Sequence, residues 1–261
     1  MIIHASLTGR STTFAQQTIK YIMESQTAKL KSDLLLFADK KKDKAQLARF
    51  FQAYPGGYGE GDTFIGVTVP NQRNIAKKYF KEISLEEAGQ LLLEDIHEYR
   101  LTAVFILVLK YEKANNEGER KSVVDTYLQN IKGVNNWDLV DSSCYKILGP
   151  WLFDKDRQIL YDFAASNDLW LQRIAMITTM HFIRQKDYRD ALSLAKSLLH
   201  HPHDLMHKAV GWMLREIGNR DYETEYDFLE QHYKTMPRTA LRYAIEKFAE
   251  PVRKMFLKGE I

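Results

Sequence analysis

The sequence predicts an all-α fold, organised as an array of stacked antiparallel helix pairs, and three observations carry that expectation. Apolar residues recur at spacings of three and four along nearly the whole chain, while alternating, strand-like runs are scarce. Glycine and proline fall between the periodic segments rather than inside them. The segments are short and joined by brief linkers, the pattern of units that bury their faces only against neighbours.

At 261 residues and 45% hydrophobic composition, the chain can bury a substantial core. We read residues 1–261 as one α-helical repeat domain, with basic N-terminal helices over 1–54 and the helical array over about 70–250. The longest nearly apolar run, Leu101 to Leu109, is nine residues and too short to span a bilayer. No apolar block followed by a small-residue cleavage pattern opens the chain, so no signal peptide is expected. A single cysteine, Cys144, then points to the reducing cytoplasm. The net charge of +3 is too small to imply nucleic acid by itself. Residues 1–50 are the basic part, with nine Lys/Arg against four Asp/Glu. The run Lys40-Lys41-Lys42-Asp43-Lys44 within them is read as a solvated helical face rather than a phosphate patch.

Taken in order, the first helix is expected from about Phe14 to Lys31 and the second from about Lys44 to Tyr54. The glycine-rich stretch Tyr54 to Asp62 lacks the Gly-Lys-Ser/Thr ending of a nucleotide loop and is read as a surface loop. Pro70 suits a first helical turn, and Ser84 opens the next helix with Glu86 and Glu87 near its positive end. A strongly apolar helix follows from about His97 to Glu112. Further helices are expected from about Arg120, Trp137, Lys155, Asp168, Asp187, Pro202, Asp221 and Pro237.

A charged residue stands early in every second helix: Arg100, Asp141, Arg173, Lys208 and Arg242, at intervals of 41, 32, 35 and 34 residues. That period suits a HEAT-like α-solenoid whose second helices line a concave face. Asp141 is the one acid in an otherwise basic row. It lies four residues after Trp137, so the two project from one side of the helix start. Beside them Val140, Cys144, Ile147, Leu148 and Trp151 form the apolar stripe. The bland reading of this pair is a core-rim tryptophan and a solvated carboxylate near a positive helix end.

Arg173 shares its side of the helix with Leu169, Met176 and Met180. Its stem therefore lies along apolar surface, with its head in water or on a phosphate or carboxylate. In the helix after Pro202, Met206, Val210, Met213, Leu214 and Ile217 define the apolar stripe, and Trp212 points away from it, alongside Lys208, Arg215 and Glu216. A tryptophan among charges suits stacking on a base or sugar, or packing on another helix. His203 and His207, four apart, can share a metal, but no third ligand is identifiable.

The segments Trp137-Asp-Leu-Val-Asp141, Trp170-Leu-Gln-Arg173 and Lys208-Ala-Val-Gly-Trp212-Met-Leu-Arg-Glu216, in this order, resemble the AlkD-type DNA alkylation repair family. The similarity extends from about residue 45 to 250 and includes Phe64 to Pro70; it departs at Phe50-Phe51-Gln52 and the longer loop after it. The resemblance implies a HEAT-like solenoid that binds duplex DNA and hydrolyses the N-glycosidic bond of N3- or N7-alkylated purines without flipping the base. It implies further that Asp141 is the catalytic carboxylate, that Trp137 and Trp212 contact sugar and backbone at the lesion, and that Arg173 binds phosphate. Lys208 belongs to the same matching segment and is expected on the DNA as well.

The function expected is thus a monomeric DNA glycosylase with no cofactor or metal, acting on double-stranded DNA that contains alkylated purines. A non-catalytic helical-repeat protein that binds DNA structure or another macromolecule is the alternative. A metallohydrolase using His203 and His207 is a third.

Overall fold

A computed structural model describes residues 25–39 and 44–261 of the chain. Fourteen α-helices occupy these residues, and the only strand-like pairing among them is one isolated parallel bridge between Thr63 and Ile96. The fold is all-α with a helical-repeat organisation, as the spacing of apolar residues requires. None of the described helices is long and apolar enough to cross a membrane. Contacts divide the chain into two compact units, Met1–Lys110 and Tyr111–Ile261.

The first unit begins with α1 (Gln26–Leu36), capped by the Ser25 side chain, which accepts the Ala28 N–H. The expected start at Phe14 and the basic run through Asp43 lie outside the described residues. The helix continues past Lys31 because Leu30 and Leu34 bury one face of it. Helix α2 (Lys44–Phe50) stops short of Tyr54, since Gln52 turns to a left-handed φ of 48° that a helix does not tolerate. Then follow α3 (Val69–Tyr79) with Pro70 in its first turn, α4 (Leu85–Leu91) and α5 (His97–Lys113). A capping box starts α4: Ser84 accepts the Glu87 N–H and Glu87 accepts the Ser84 N–H.

The glycine-rich stretch is tied down at its end more firmly than a surface loop. Asp62 is buried, accepts Arg100 Nη2–H and lies 2.9 Å from His97 Nδ1. Both Glu98 oxygens accept the Ile65 N–H, and one also takes Gly66 N–H at 2.7 Å. Phe51, in the segment that departs from the family pattern, stacks on Phe64 at 5.2 Å and lies 4.7 Å from the His97 ring. Arg100, the first member of the charged row, is thus an internal clamp on the loop.

The second unit contains α6 (Glu117–Gln129), α7 (Trp137–Leu152), α8 (Gln158–Ala165), α9 (Leu169–Arg184), α10 (Arg189–Leu198), α11 (Asp204–Gly218), α12 (Tyr222–His232), α13 (Arg238–Ala244) and α14 (Glu250–Lys258). The last was not expected from the sequence; Pro251 sits in its first turn and Gly259, at φ 82°, ends it. Helix α7 packs on α9, α9 on α11 and α11 on α13, with α8, α10 and α12 filling the positions between. The stripes expected for α7 and α11 are largely the buried ones: Val140, Cys144, Ile147 and Leu148 on the former, whose fifth member Trp151 is only half-buried, and Met206, Val210, Met213, Leu214 and Ile217 on the latter.

Glycine and proline do enter these helices, contrary to the sequence expectation, and packing gives the reason. Within α7, a Cβ on Gly149 would lie 2.4 Å from His181 Cβ, and Pro150 follows it. Within α11, a Cβ on Gly211 would meet the Ala240 carbonyl at 2.4 Å and Tyr243 Cβ at 2.6 Å. Close helix approach outweighs the propensity cost of about 1 kcal/mol per glycine.

Candidate functional site

Helix α7 is started by Asn136, which is buried in an extended conformation and accepts the Trp137 N–H through its side chain at 2.9 Å. Trp137 is therefore the first helical residue, with Asp141 one turn on. Helix α9 is started the same way by Asp168, whose carboxylate accepts the N–H groups of Trp170 and Leu171. Arg173 lies one turn into α9. The packing of α7 on α9 brings the two charged side chains into a bidentate pair: Arg173 Nε donates to Asp141 Oδ1 at 3.0 Å and Nη2 to Oδ2 at 2.8 Å. Nη1 donates to the Leu205 carbonyl in the first turn of α11, at 2.6 Å.

Arg173 is only 4% exposed, so its head does not reach water as the snorkelling reading supposed. The Asp141 side chain keeps 18% of its surface in contact with solvent. Burial raises the Asp141 carboxyl above the ordinary aspartate range, and Asp138 adds to the rise; the Arg173 pair opposes it. A buried ion pair seldom stabilises a fold more than apolar residues of the same volume would. What this one provides is a carboxylate fixed in orientation at an edge that solvent reaches. Cys144, on the same helix, is fully buried, and its thiol is pushed up to about 12, which removes it as a nucleophile.

The remaining expected residues lie on or beside the same helical row. Trp137 is half-buried. Trp212 is half-buried too, and its indole N–H donates to Glu216 Oε1 at 3.3 Å. Lys208 pairs with Asp204 at 2.7 Å, both side chains well exposed. Arg242, in α13, is exposed. The structure thus joins Asp141 to Arg173 directly, and Arg173 to the helix that carries Lys208 and Trp212.

His203 and His207 are used for something other than a shared ion. His203 caps α11, its Nδ1 accepting the Leu205 N–H at 3.1 Å, while His207 Nε2 donates to the His201 carbonyl. Among the described residues no group of three or more His, Cys, Asp or Glu side chains is placed to hold a metal ion. Sequence reasoning missed Leu205 and His203 as parts of the site's support. A histidine two residues before Leu205 was visible, but which ring nitrogen faces which amide is a property of the folded turn.

Fold and site together define an all-α helical-repeat protein that presents a carboxylate held by a buried guanidinium. The chain belongs to the family described as DNA alkylation repair enzyme, whose profile matches residues 30–248. That membership puts it in DNA repair, with DNA as its partner. A solved structure, "Predicted DNA alkylation repair enzyme from Enterococcus faecalis", is similar in fold, with a TM-score of 0.64 and 16% identity over 82% of this chain and 98% of that one. No curated protein sequence matches significantly.

Proposed function

We propose that the protein is a DNA glycosylase that hydrolyses the N-glycosidic bond of N3- or N7-alkylated purines in duplex DNA, with Asp141 as the catalytic carboxylate. The observation that carries this reading is the bidentate Asp141–Arg173 pair, which leaves the carboxylate oriented and partly open to solvent. Alkylation at N3 or N7 makes the purine cationic. When the C1′–N bond breaks, its electron pair leaves with the base, which departs neutral and needs no general acid. The sugar becomes an oxocarbenium-like cation, and water must add to C1′ and lose a proton. A carboxylate meets both demands, by attracting the cation and by accepting a hydrogen bond from the water.

Trp137 and Trp212 supply aromatic faces to the sugar and backbone, each worth on the order of 1 kcal/mol as cation–π partners of the developing cation. Lys208 contacts phosphate. Arg173, enclosed and bonded to both Asp141 oxygens and the Leu205 carbonyl, positions Asp141 and leaves the phosphate contacts to exposed cations. The test is release of 7-methylguanine or 3-methyladenine from alkylated duplex, with Asp141→Asn as the comparison. Release by the wild type that drops on the order of a hundredfold in the variant is expected. Undiminished release by the variant overturns the assignment of Asp141. Binding of branched or undamaged DNA with no base release supports the non-catalytic alternative.

A further inference from the structure

The connection from α10 to α11, residues 199–203, carries His200, His201 and His203, with His207 one turn into α11. Two of these imidazoles accept backbone N–H groups, an unusual use of the ring. His201 Nδ1 accepts the His203 N–H at 3.0 Å, and His203 Nδ1 accepts the Leu205 N–H at 3.1 Å. A ring nitrogen that accepts carries no proton, so the remaining proton of each neutral ring sits on Nε2. That of His201 is directed at Gln172 Oε1, 2.8 Å away. Gln172 in turn donates to the Ser166 carbonyl at 2.7 Å, before α9 begins.

These bonds lead directly to the candidate site. Gln172 and Arg173 are consecutive on α9, and the peptides around Leu205 serve both partners: its N–H goes to His203 and its carbonyl takes the Arg173 Nη1 donor at 2.6 Å. The chain of contacts is therefore His203, Leu205, Arg173, Asp141. Each step is a hydrogen bond with a defined donor.

We propose that His203 is a positioning residue that, as the neutral imidazole only, holds the first turn of α11 where the Leu205 carbonyl receives Arg173 and so orients Asp141. Protonation of Nδ1 would set one N–H against another and break the cap. The groups facing His203 are Asp204, His207 and Lys208 on α11 and Arg173 from α9, with His201 before it; the four cations and potential cations outnumber the one carboxylate. Burial, together with His207, Arg173 and Lys208, holds its pKa below the ordinary histidine range, with Asp204 opposing. The fold thus keeps the ring neutral at pH 7 and loses the cap only as pH falls. This inference rests on the reading of Asp141 as the catalytic group.

The experiment compares the full-length wild type with His203→Asn and His203→Ala. Asn accepts the same cap bond through its side-chain oxygen and does not titrate; Ala removes the bond. Without DNA, the Leu205 amide and the Arg173 Nε–H are followed by 15N-resolved NMR between about pH 8 and 5. In the wild type both signals are expected to move together with one midpoint, and in His203→Asn neither should show that titration. With alkylated duplex, His203→Ala should release base about fivefold to tenfold more slowly at neutral pH, the loss of one cap, and His203→Asn should recover most of it and flatten the acid side of the rate profile. A Leu205 amide that titrates while Arg173 Nε–H stays still overturns the proposal, as does an acid limb identical in wild type and His203→Asn. Absence of base release by every form at every pH would overturn the glycosylase reading instead, leaving the NMR comparison to decide the role of His203.

Discussion

Arg173 holds both oxygens of Asp141, at 3.0 and 2.8 Å, from a position almost wholly removed from water, while the carboxylate it holds remains at the solvent edge. The asymmetry sets what substitution should do. Lysine keeps the charge but not the planar fork, so Arg173→Lys is expected to fold and yet slow base release by roughly ten- to a hundredfold. Arg173→Ala leaves the half-buried carboxylate without its partner and should destabilise the protein by about 1–3 kcal/mol. Single-turnover release read beside urea unfolding separates the two effects. Equal losses of stability and rate for lysine and alanine would mean that the pair serves only the fold.

Trp137 and Trp212 are both half-buried, each at or near the solvent side of its helix. If they face the sugar cation, an aromatic ring is what matters. Trp137→Phe and Trp212→Phe should keep most of the rate, and the alanine variants should each lose roughly fivefold, the equivalent of about 1 kcal/mol. The Trp212 variants should leave Glu216 satisfied, because Arg220 donates to its other oxygen at 2.9 Å. Rates that fall as far with phenylalanine as with alanine would point to the indole N–H, not the ring face.

The i,i+4 pair of Lys208 with Asp204 is solvent-accessible, an interaction worth a few tenths of a kcal/mol and easily exchanged for phosphate. Lys208→Gln should weaken binding of all duplexes alike and reduce the slope of log affinity against log salt by about one. Asp204→Asn should act in the opposite direction, releasing the lysine and removing a negative charge. Fluorescence-anisotropy titrations at several salt concentrations provide the measurement. An unchanged salt slope in Lys208→Gln would remove this residue from the DNA-binding surface.

How much of this was legible in the sequence differs residue by residue. The stripe of α11 could be read because its apolar residues repeat at the helical period, and the same periodicity separated Trp212 from them. Asp141 and Arg173 were each singled out, on different helices and for different reasons. Their pairing was not, because it depends on α7 packing against α9 in one register, which no local pattern encodes. The charged row misled at Arg100, which stands 41 residues before Asp141 where the other steps are 32 to 35: Asp62 returns from the glycine-rich loop to neutralise it. Gly149 and Gly211 fall within the spans of the expected stripes of their helices, but nothing local reveals that a neighbouring helix needs their missing Cβ. The family resemblance supplied roles for Asp141, Trp137, Arg173 and Trp212; the turn that supports them, from His201 to Leu205, lies outside those motifs.

Glu225 supplies a prediction about stability, independent of the site. It is 2% exposed in α12, its Oε1 is buried with no partner, and a Cβ placed on Gly218 would lie 1.6 Å from its Oε2. Burial raises its carboxyl to about 9, with Arg215 offsetting part of the rise. The unfolded chain gives up this proton near the ordinary glutamate value of 4.5, whereas the folded one keeps it until about pH 9. Between those limits the native state binds the extra proton, so stability falls as pH rises, by at most about 1.4 kcal/mol per unit. Glutamine mimics the protonated acid and has nothing to release. Glu225→Gln is therefore expected to unfold at higher urea than the wild type at pH 8, by about 1–3 kcal/mol, with the difference closing as pH approaches the unfolded-state value. Urea midpoints at pH 5 and pH 8 measure it, and parallel pH dependence of the two proteins would show that Glu225 is ionised in the fold.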